Sequence, residues 1–288
     1  MQFEGKQDIT NYEYHTGQGI SQSALKYIRR SPKHYWAKFI SDRGIEDNKT
    51  RAKQLGTDVH CALLEPDLFA KNYIIIPEYA PKKPSSTQVK AKNPSLNTIE
   101  QIEWWDGFIA KAGDKTIITQ SDWDTCVNIR ETVLNHPVAG VWFESGKAEQ
   151  TFYGVDPDTG LLLKCRPDFM NDNGVMIDLK KTVNASTSEF GRSAGNYGYH
   201  IQAAFYVDLL TNLYGDAPDL FIFVAVEEEF PHAVNVLFID EDDMETGRTI
   251  YKRNLMKISE CLENNHWPDY CDTEMNRLWL PAWVKSQS

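Results

Sequence analysis

No stretch of this chain is apolar for long enough to cross a bilayer, and the first residues, Met1-Gln2-Phe3-Glu4-Gly5-Lys6, contain no hydrophobic core of the signal-peptide kind. The expectation is therefore a cytoplasmic protein with no membrane partner. The five cysteines, Cys61, Cys126, Cys165, Cys261 and Cys271, form an odd set without metal-type spacing. That excludes a disulfide framework or a zinc finger and leaves reduced, mostly buried thiols. There is no internal repeat, no long low-complexity tract and no nucleotide-binding loop. Positive charge is scarce overall. A net charge of −11 argues against indiscriminate coating of nucleic acid.

The charge that is present is unevenly placed. Nine Lys/Arg face three acids between Lys26 and Lys53, and Pro81 to Pro94 carries four lysines and no acid. Acidic runs occupy Glu227-Glu228-Glu229 and Asp240-Glu241-Asp242-Asp243. A basic wall inside an acidic shell would focus a polyanion into one groove, although charge runs are commonly just solvated helix faces.

The pattern of residues predicts a mixed α/β fold. Ser21–Ser31 reads as a helix with Ser21 as N-cap. Pro32 starts the next helix, which carries Tyr35, Trp36 and Phe39. Helices are expected over Lys53–Leu64, Thr98–Ala112, Ser121–Asn135, Tyr199–Tyr214 and Asp243–Asn264, with Pro77–Ser95 as a mobile loop. Strands are expected over Glu149–Val155 and Leu161–Met170, flanking the turn Asp156–Gly160, and over Val175–Lys181, Leu220–Val226 and Ala233–Ile239. The turn resembles a calcium loop only superficially, since it lacks the later ligands. Trp104-Trp105 reads as core packing rather than as a base-stacking platform.

The chemistry concentrates in Arg166-Pro167-Asp168 and Asp178-Leu179-Lys180. Asp172-Asn173-Gly174 suits a three-residue hairpin loop with a left-handed glycine. That register sets Asp168 opposite Asp178, with side chains roughly 5 Å apart. Like charges placed so repel, and a divalent cation compensates best. Lys180, two residues on, emerges on the face of Asp178. His60 in Gly56-Thr57-Asp58-Val59-His60, Glu149, the helix pair Gln202 and Tyr206, and Ser21 with Ser23 complete the candidate set.

In this order, Gly-xxx-His, a Glu, Pro-Asp, Asp-x-Lys and Gln-xxx-Tyr resemble the RecB-type branch of the PD-(D/E)xK nucleases. Gly19-Ile20-Ser21-Gln22-Ser23-Ala24-Leu25, Leu64-Glu65-Pro66, Cys165-Arg166-Pro167-Asp168, Asp178-Leu179-Lys180-Lys181-Thr182, Tyr199-His200-Ile201-Gln202-Ala203-Ala204-Phe205-Tyr206 and Leu280-Pro281-Ala282-Trp283 are similar, more closely, to the exonuclease VIII (RecE) nuclease domain. The Asp-x-Lys triplet alone is weak; the ordered set is specific.

The resemblance implies a restriction-endonuclease-like α/β domain over residues 1–288, with a mixed central sheet flanked by helices. Within it, 1–54 would be a basic helical segment, 55–240 the nuclease core and 241–288 a helix and tail. It implies Asp168, Asp178, the Leu179 carbonyl and His60 as metal ligands, and Lys180 and Glu149 as further catalytic groups. Two Mg²⁺ (or Mn²⁺) would occupy each site, with no iron–sulfur cluster, since Ser31 stands where a cysteine often sits. Ser21, Ser23, Arg29, Arg30, Lys33, Arg166, Lys181, Thr182, Gln202 and Tyr206 would contact DNA. The implied activity is 5′-to-3′ digestion of double-stranded DNA ends, leaving 3′ tails. The implied partners are a RecT-like annealing protein and further copies of the chain, as a tetramer or alternatively a trimer, in a bacterial host cytoplasm. An endonuclease or single-strand nuclease of the same fold, a non-catalytic DNA- or protein-binding module, and a small-molecule phosphohydrolase are the alternatives.

Overall fold

The computed structural model describes residues 4–45, 50–271, 273–280 and 284. The resemblance at positions 281–283 therefore lies outside the described residues. In chain order the elements are β1 (Gly5–Gln7), α1 (Asn11–Thr16), α2 (Leu25–Arg30), α3 (Pro32–Phe39), α4 (Arg51–Leu64), α5 (Pro66–Asn72) and β2 (Tyr73–Ile75). Next come α6 (Ser86–Val89), α7 (Leu96–Ala112), β3 (Thr116–Ile118), α8 (Gln120–Asn135), β4 (Gly146–Ala148), β5 (Thr151–Val155), β6 (Leu162–Cys165) and β7 (Phe169–Asn171). The chain closes with β8 (Val175–Thr182), α9 (Thr187–Tyr197), α10 (Tyr199–Tyr214), β9 (Leu220–Glu227), β10 (Val234–Phe238) and α11 (Glu241–Asn264). Side-chain caps fix many of the helix starts. Ser31 accepts from the His34 N–H ahead of Pro32, Thr50 caps α4 and Asp240 caps α11.

The main sheet has the order β10-β9-β8-β7-β4. β8 and β9 run parallel at its centre and the outer pairs are antiparallel, so the sheet is mixed. The parallel pair needs a crossover, which α9 and α10 supply. The first five residues of β8, Val175 to Leu179, are buried on both faces, and all but Asp178 are apolar. Met176, Phe221 and Phe223 face a core built with α2, α10 and α11. Val175, Ile177, Leu179, Ile222 and Val224 face a second core with α4 and α8. Asp178 and Lys180 follow Met176 in period two and so sit on the α10 side. α10 and α11 approach closely: a Cβ on Gly247 would lie 2.2 Å from the His200 carbonyl oxygen.

The expected strand Leu161–Met170 is broken in two, between different sheets, and the expected Glu149–Val155 begins only at Thr151, after a separate short strand. Gly146–Ala148 pairs with Phe169–Asn171 in the main sheet, whereas Thr151–Val155 pairs with Leu162–Cys165 in a second sheet of order β1-β5-β6. Glu149 therefore does not open a strand; it lies at the break with φ of 50°. Pro167 marks the matching break, because it has no N–H to give a ladder. The two breaks lie side by side, joined by Glu149 N–H donating to the Asp168 carbonyl at 3.0 Å.

Ser21–Ser31 is not one helix. A tight 3-10 turn (Gln22–Ala24) leads into α2, and Ser21 makes no capping bond. The segment Pro77–Ser95 contains α6, capped by Ser85 and Gln88, and the Trp105 indole donates to the Pro81 carbonyl at 3.0 Å. The turn after β5 is closed locally, with Asp156 accepting from the N–H and hydroxyl of Thr159. Among the described residues, no helix is long and apolar enough to cross a membrane.

Candidate active site

The hairpin between β7 and β8 pairs Phe169 with Ile177 and Met170 with Met176, through a loop whose Gly174 has φ of 79°. Extending that register by one residue sets Asp168 against Asp178. Asp168 is turned along the strand, however. Its Oδ2 accepts from the Leu179 N–H at 2.7 Å and lies 3.4 Å from His60 Nδ1 on α4. The contact from Leu179 to Asp168 thus runs through the N–H. Glu149 comes in from the neighbouring break. One donor atom each from His60, Glu149 and Asp168 lie within 4.8 Å of one another.

Asp178 occupies the next position inward and is almost fully buried. Its Oδ1 accepts from Gln202 Nε2 at 2.5 Å, and its Oδ2 forms an ion pair with the Lys180 ammonium. That Oδ2 nevertheless has no hydrogen bond of acceptable geometry. Lys180 also lies over the Tyr199 ring, 4.9 Å from its centroid.

Burial raises the pKa of Asp178. Burial, followed by the charge on Asp168, pushes Glu149 up to about 8. Burial works against the Lys180 ammonium, yet Asp178 and then Asp168 outweigh it, and its pKa ends above the ordinary lysine value. Lys180 is therefore a charged donor at neutral pH and not a base.

These residues fit a divalent cation. Two carboxylates and an imidazole offer hard donors within one coordination sphere. The carboxylates repel one another, and buried Asp178 Oδ2 lacks a hydrogen bond. A cation would relieve the repulsion.

The cavity above this cluster, about 490 Å³, brings together His60, Glu149, Asp168, Ser21, Ser23, Gln202 and Tyr206. The Ser21 and Ser23 hydroxyls meet there at 2.9 Å. Tyr206, one turn after Gln202, is buried against the core.

Most of the other expected DNA contacts lie away from this cavity. Arg166 borders the cavity but is committed to its own chain, donating to Thr151 Oγ1 at 2.6 Å and to the carbonyls of Ile9 and Thr10 at 2.7 and 3.3 Å. Lys181 points to the opposite face, paired with Glu228, and the Thr182 hydroxyl donates to the Asn184 carbonyl at 3.3 Å. Arg29 lines a separate cavity with Arg253 and Lys257 between α2 and α11. Arg30 donates to the Tyr270 hydroxyl at 3.3 Å, and Lys33 lies over the Trp36 ring. Trp105 is buried, as its reading as a packing residue anticipated.

Sequence reasoning missed α1. Its Asn11, Tyr14 and His15 border the same cavity, as does Lys53. The one available signal was the capping box of Thr10 and Glu13. Tyr199 was quoted only as part of a motif, and nothing in its spacing announces the ring beneath Lys180.

Acids set at two adjacent strand breaks, an Asp-x-Lys on the next strand and a mixed sheet between helical layers define a restriction-endonuclease-like fold with a PD-(D/E)xK-type site. The chain belongs to the family described as a PDDEXK-like domain of unknown function (DUF3799), whose model matches residues 21–276. Among solved structures, a protein from Eubacterium rectale described as a "putative exonuclease" is similar, with a TM-score of 0.60 at 11% identity over 97% of this chain and 98% of that one. That likeness shows the fold. A second solved chain, SSO0001, aligns with a TM-score of 0.29 at 13% identity over 76% of this chain and 89% of that one, which is too distant to carry an argument. No curated protein matches the sequence.

Proposed function

We propose that this chain is a divalent-metal-dependent deoxyribonuclease, and more specifically an exonuclease of the RecE type. It digests the 5′ strand of double-stranded DNA ends and leaves 3′ tails for annealing. One observation carries the nuclease reading: His60, Glu149 and Asp168 converge beside a buried Asp178–Lys180–Gln202 chain at the floor of one cleft. The family membership supports the same chemistry. The finer reading rests on the ordered motifs and their resemblance to RecE, and so do its partners: a RecT-like annealing protein and a tetramer of the chain, or alternatively a trimer. A bacterial host cytoplasm is part of the same proposal.

When bound, Mg²⁺ (or Mn²⁺), two per site, supplies Lewis-acid polarisation of the phosphate and a deprotonated water. His60, Glu149, Asp168 and Asp178 would hold it. Lys180, kept protonated by its acidic neighbours, donates to a phosphate oxygen or to the attacking water. Gln202 fixes the carboxylate of Asp178, and through it the position of Lys180.

The test uses linear duplexes labelled on either strand, with 5′-phosphate or 5′-hydroxyl, with and without Mg²⁺, beside a closed circular control. Metal-dependent shortening from the 5′ end, with the circle intact, is the expected result. Cutting of the circle would replace the exonuclease with an endonuclease. Asp178→Asn should abolish digestion while DNA association persists. Cleavage retained by that variant would refute the site assignment.

A further inference from the structure

The main sheet ends in an open edge. β10 pairs with β9 alone, and among the described residues no strand lies on its other side. The Glu227 N–H donates to the Ala233 carbonyl at 3.0 Å, which makes that pair a hydrogen-bonded one. Bonded pairs recur every second residue. Asn235 and Leu237 therefore turn their N–H and C=O groups toward β9, and Val234, Val236 and Phe238 turn theirs outward. Beside this edge runs a groove of about 460 Å³. Phe223 and Leu237 line it from the sheet, Gly191 and Gly195 from α9, and Asp243 from the start of α11. The two glycines leave room for a ring, since a Cβ on either would meet nothing within 4 Å.

Charge decides what fits this edge. Glu229 is exposed ahead of β10 and Asp242 is exposed after it, with Asp243 at the groove. Two copies of β10 laid antiparallel would set the first of these acids against the other two, and like charges there repel. The edge therefore disfavours its own copy and suits an extended, apolar segment with cations at its ends. The chain carries such a segment. Met275 to Ser288 holds Arg277 and Lys285 and no acidic side chain. Between the two cations stand Leu278-Trp279-Leu280-Pro281-Ala282-Trp283-Val284. Met275, Leu278 and Leu280 are 98%, 84% and 53% exposed, so their own chain gives them little cover. Extended, the segment would set Arg277, Trp279, Trp283 and Lys285 on one face. Pro281 suits an outermost strand, where one side needs no N–H.

We infer that residues 277–285 of a second copy of this chain add as a strand to the open edge of β10. A tryptophan ring fills the groove, and Arg277 and Lys285 lie against the acids at its two ends. The inference does not rest on the nuclease reading, because none of these residues lines the catalytic cavity. It goes beyond the assembly proposed above by naming the two surfaces that meet. It also gives a task to Leu280-Pro281-Ala282-Trp283, which the chemistry of the site leaves unused.

A labelled peptide of residues 275–288 tests this by fluorescence anisotropy, with the full chain as receptor. The first receptor carries Leu278→Asp and Leu280→Asp, which disable its own tail at exposed positions and leave its groove open. A second adds Gly195→Leu, which fills the groove where a Cβ meets nothing and where leucine favours the helix over glycine. Thermal melting first shows each receptor to be folded. Filling the groove should weaken peptide binding about tenfold, the size expected when an anchor ring loses its pocket. Glu229→Lys and Asp242→Lys, added to the first receptor instead, should weaken binding and remove its decline with salt. Equal affinity for the open and the filled receptor would overturn the inference. Light scattering on chains with an intact tail identifies the source of the strand. Wild type should be larger than one chain, and Gly195→Leu should shift it toward smaller species at the same concentration. A wild type that stays monomeric would place the tail on its own chain and overturn the second copy as its source.

Discussion

Glu149 combines two unfavourable states. Its backbone is left-handed, a region that costs a non-glycine residue on the order of 1 kcal/mol, and its half-buried carboxyl sits beside Asp168. The raised pKa fixes a sign. Between the ordinary 4.5 and about 8, the folded protein binds the proton more tightly than the unfolded chain does. Without metal, this group's contribution to stability is therefore full at low pH and is lost as pH rises through that window. Calorimetry on metal-free protein should show Glu149→Gln flattening the fall, and Mg²⁺ should raise Tm most at the upper end, where the carboxylate is free to bind it. Lys180→Ala should lower turnover about 10²–10³-fold, the range found when one preorganised donor to a transition state is removed. Titrating Mg²⁺ in that variant should not restore the rate. Recovery at high Mg²⁺ would mean that the lysine acts by shaping the metal site instead.

At the scale of elements, the site is held by a hairpin, two strand breaks and the helices α4 and α10. Asp168, Asp178 and Lys180 could be read from sequence because a three-residue loop and a period of two fix their relation without tertiary information. α10 was legible to the residue, since Gly198 and Gly215 bracket it in left-handed conformations. The exchange of strands between sheets was not legible, because nothing local says which sheet a short strand will join, and only Pro167 hints at a break. β1, β2 and β3, three residues each, carry too little pattern to declare themselves, and their partners lie far away in sequence. His15 reaches the site through packing that brings α1 over the sheet, which no local periodicity encodes. The contact between α10 and α11 yields its own expectation. Gly247→Ala should destabilise the fold by roughly 1–3 kcal/mol, because a methyl there meets a backbone carbonyl that cannot step aside. Urea unfolding would measure it, and an unchanged midpoint would show that the two helices can separate freely.

Across the whole molecule, an acidic protein keeps its cationic surface in patches. One is the cavity bordered by Lys26 and Lys53; another is the cleft where Arg29 meets Arg253 and Lys257. If duplex DNA runs along the second patch, neutralising Arg29, Arg253 and Lys257 together should reduce the slope of log affinity against log salt by up to about 0.9 per lost contact. An unchanged slope would confine DNA to the first patch. The parallel pairing of β8 with β9 also has a temporal meaning. A ribosome releases His60, Glu149, Asp168, Lys180 and Gln202 in that order, and the strand on which Asp178 and Lys180 ride gains its central neighbour only once Leu220–Glu227 has emerged. Nascent chains halted before Leu220 should thus lack nuclease activity, a delay set by the order in which the chain is made.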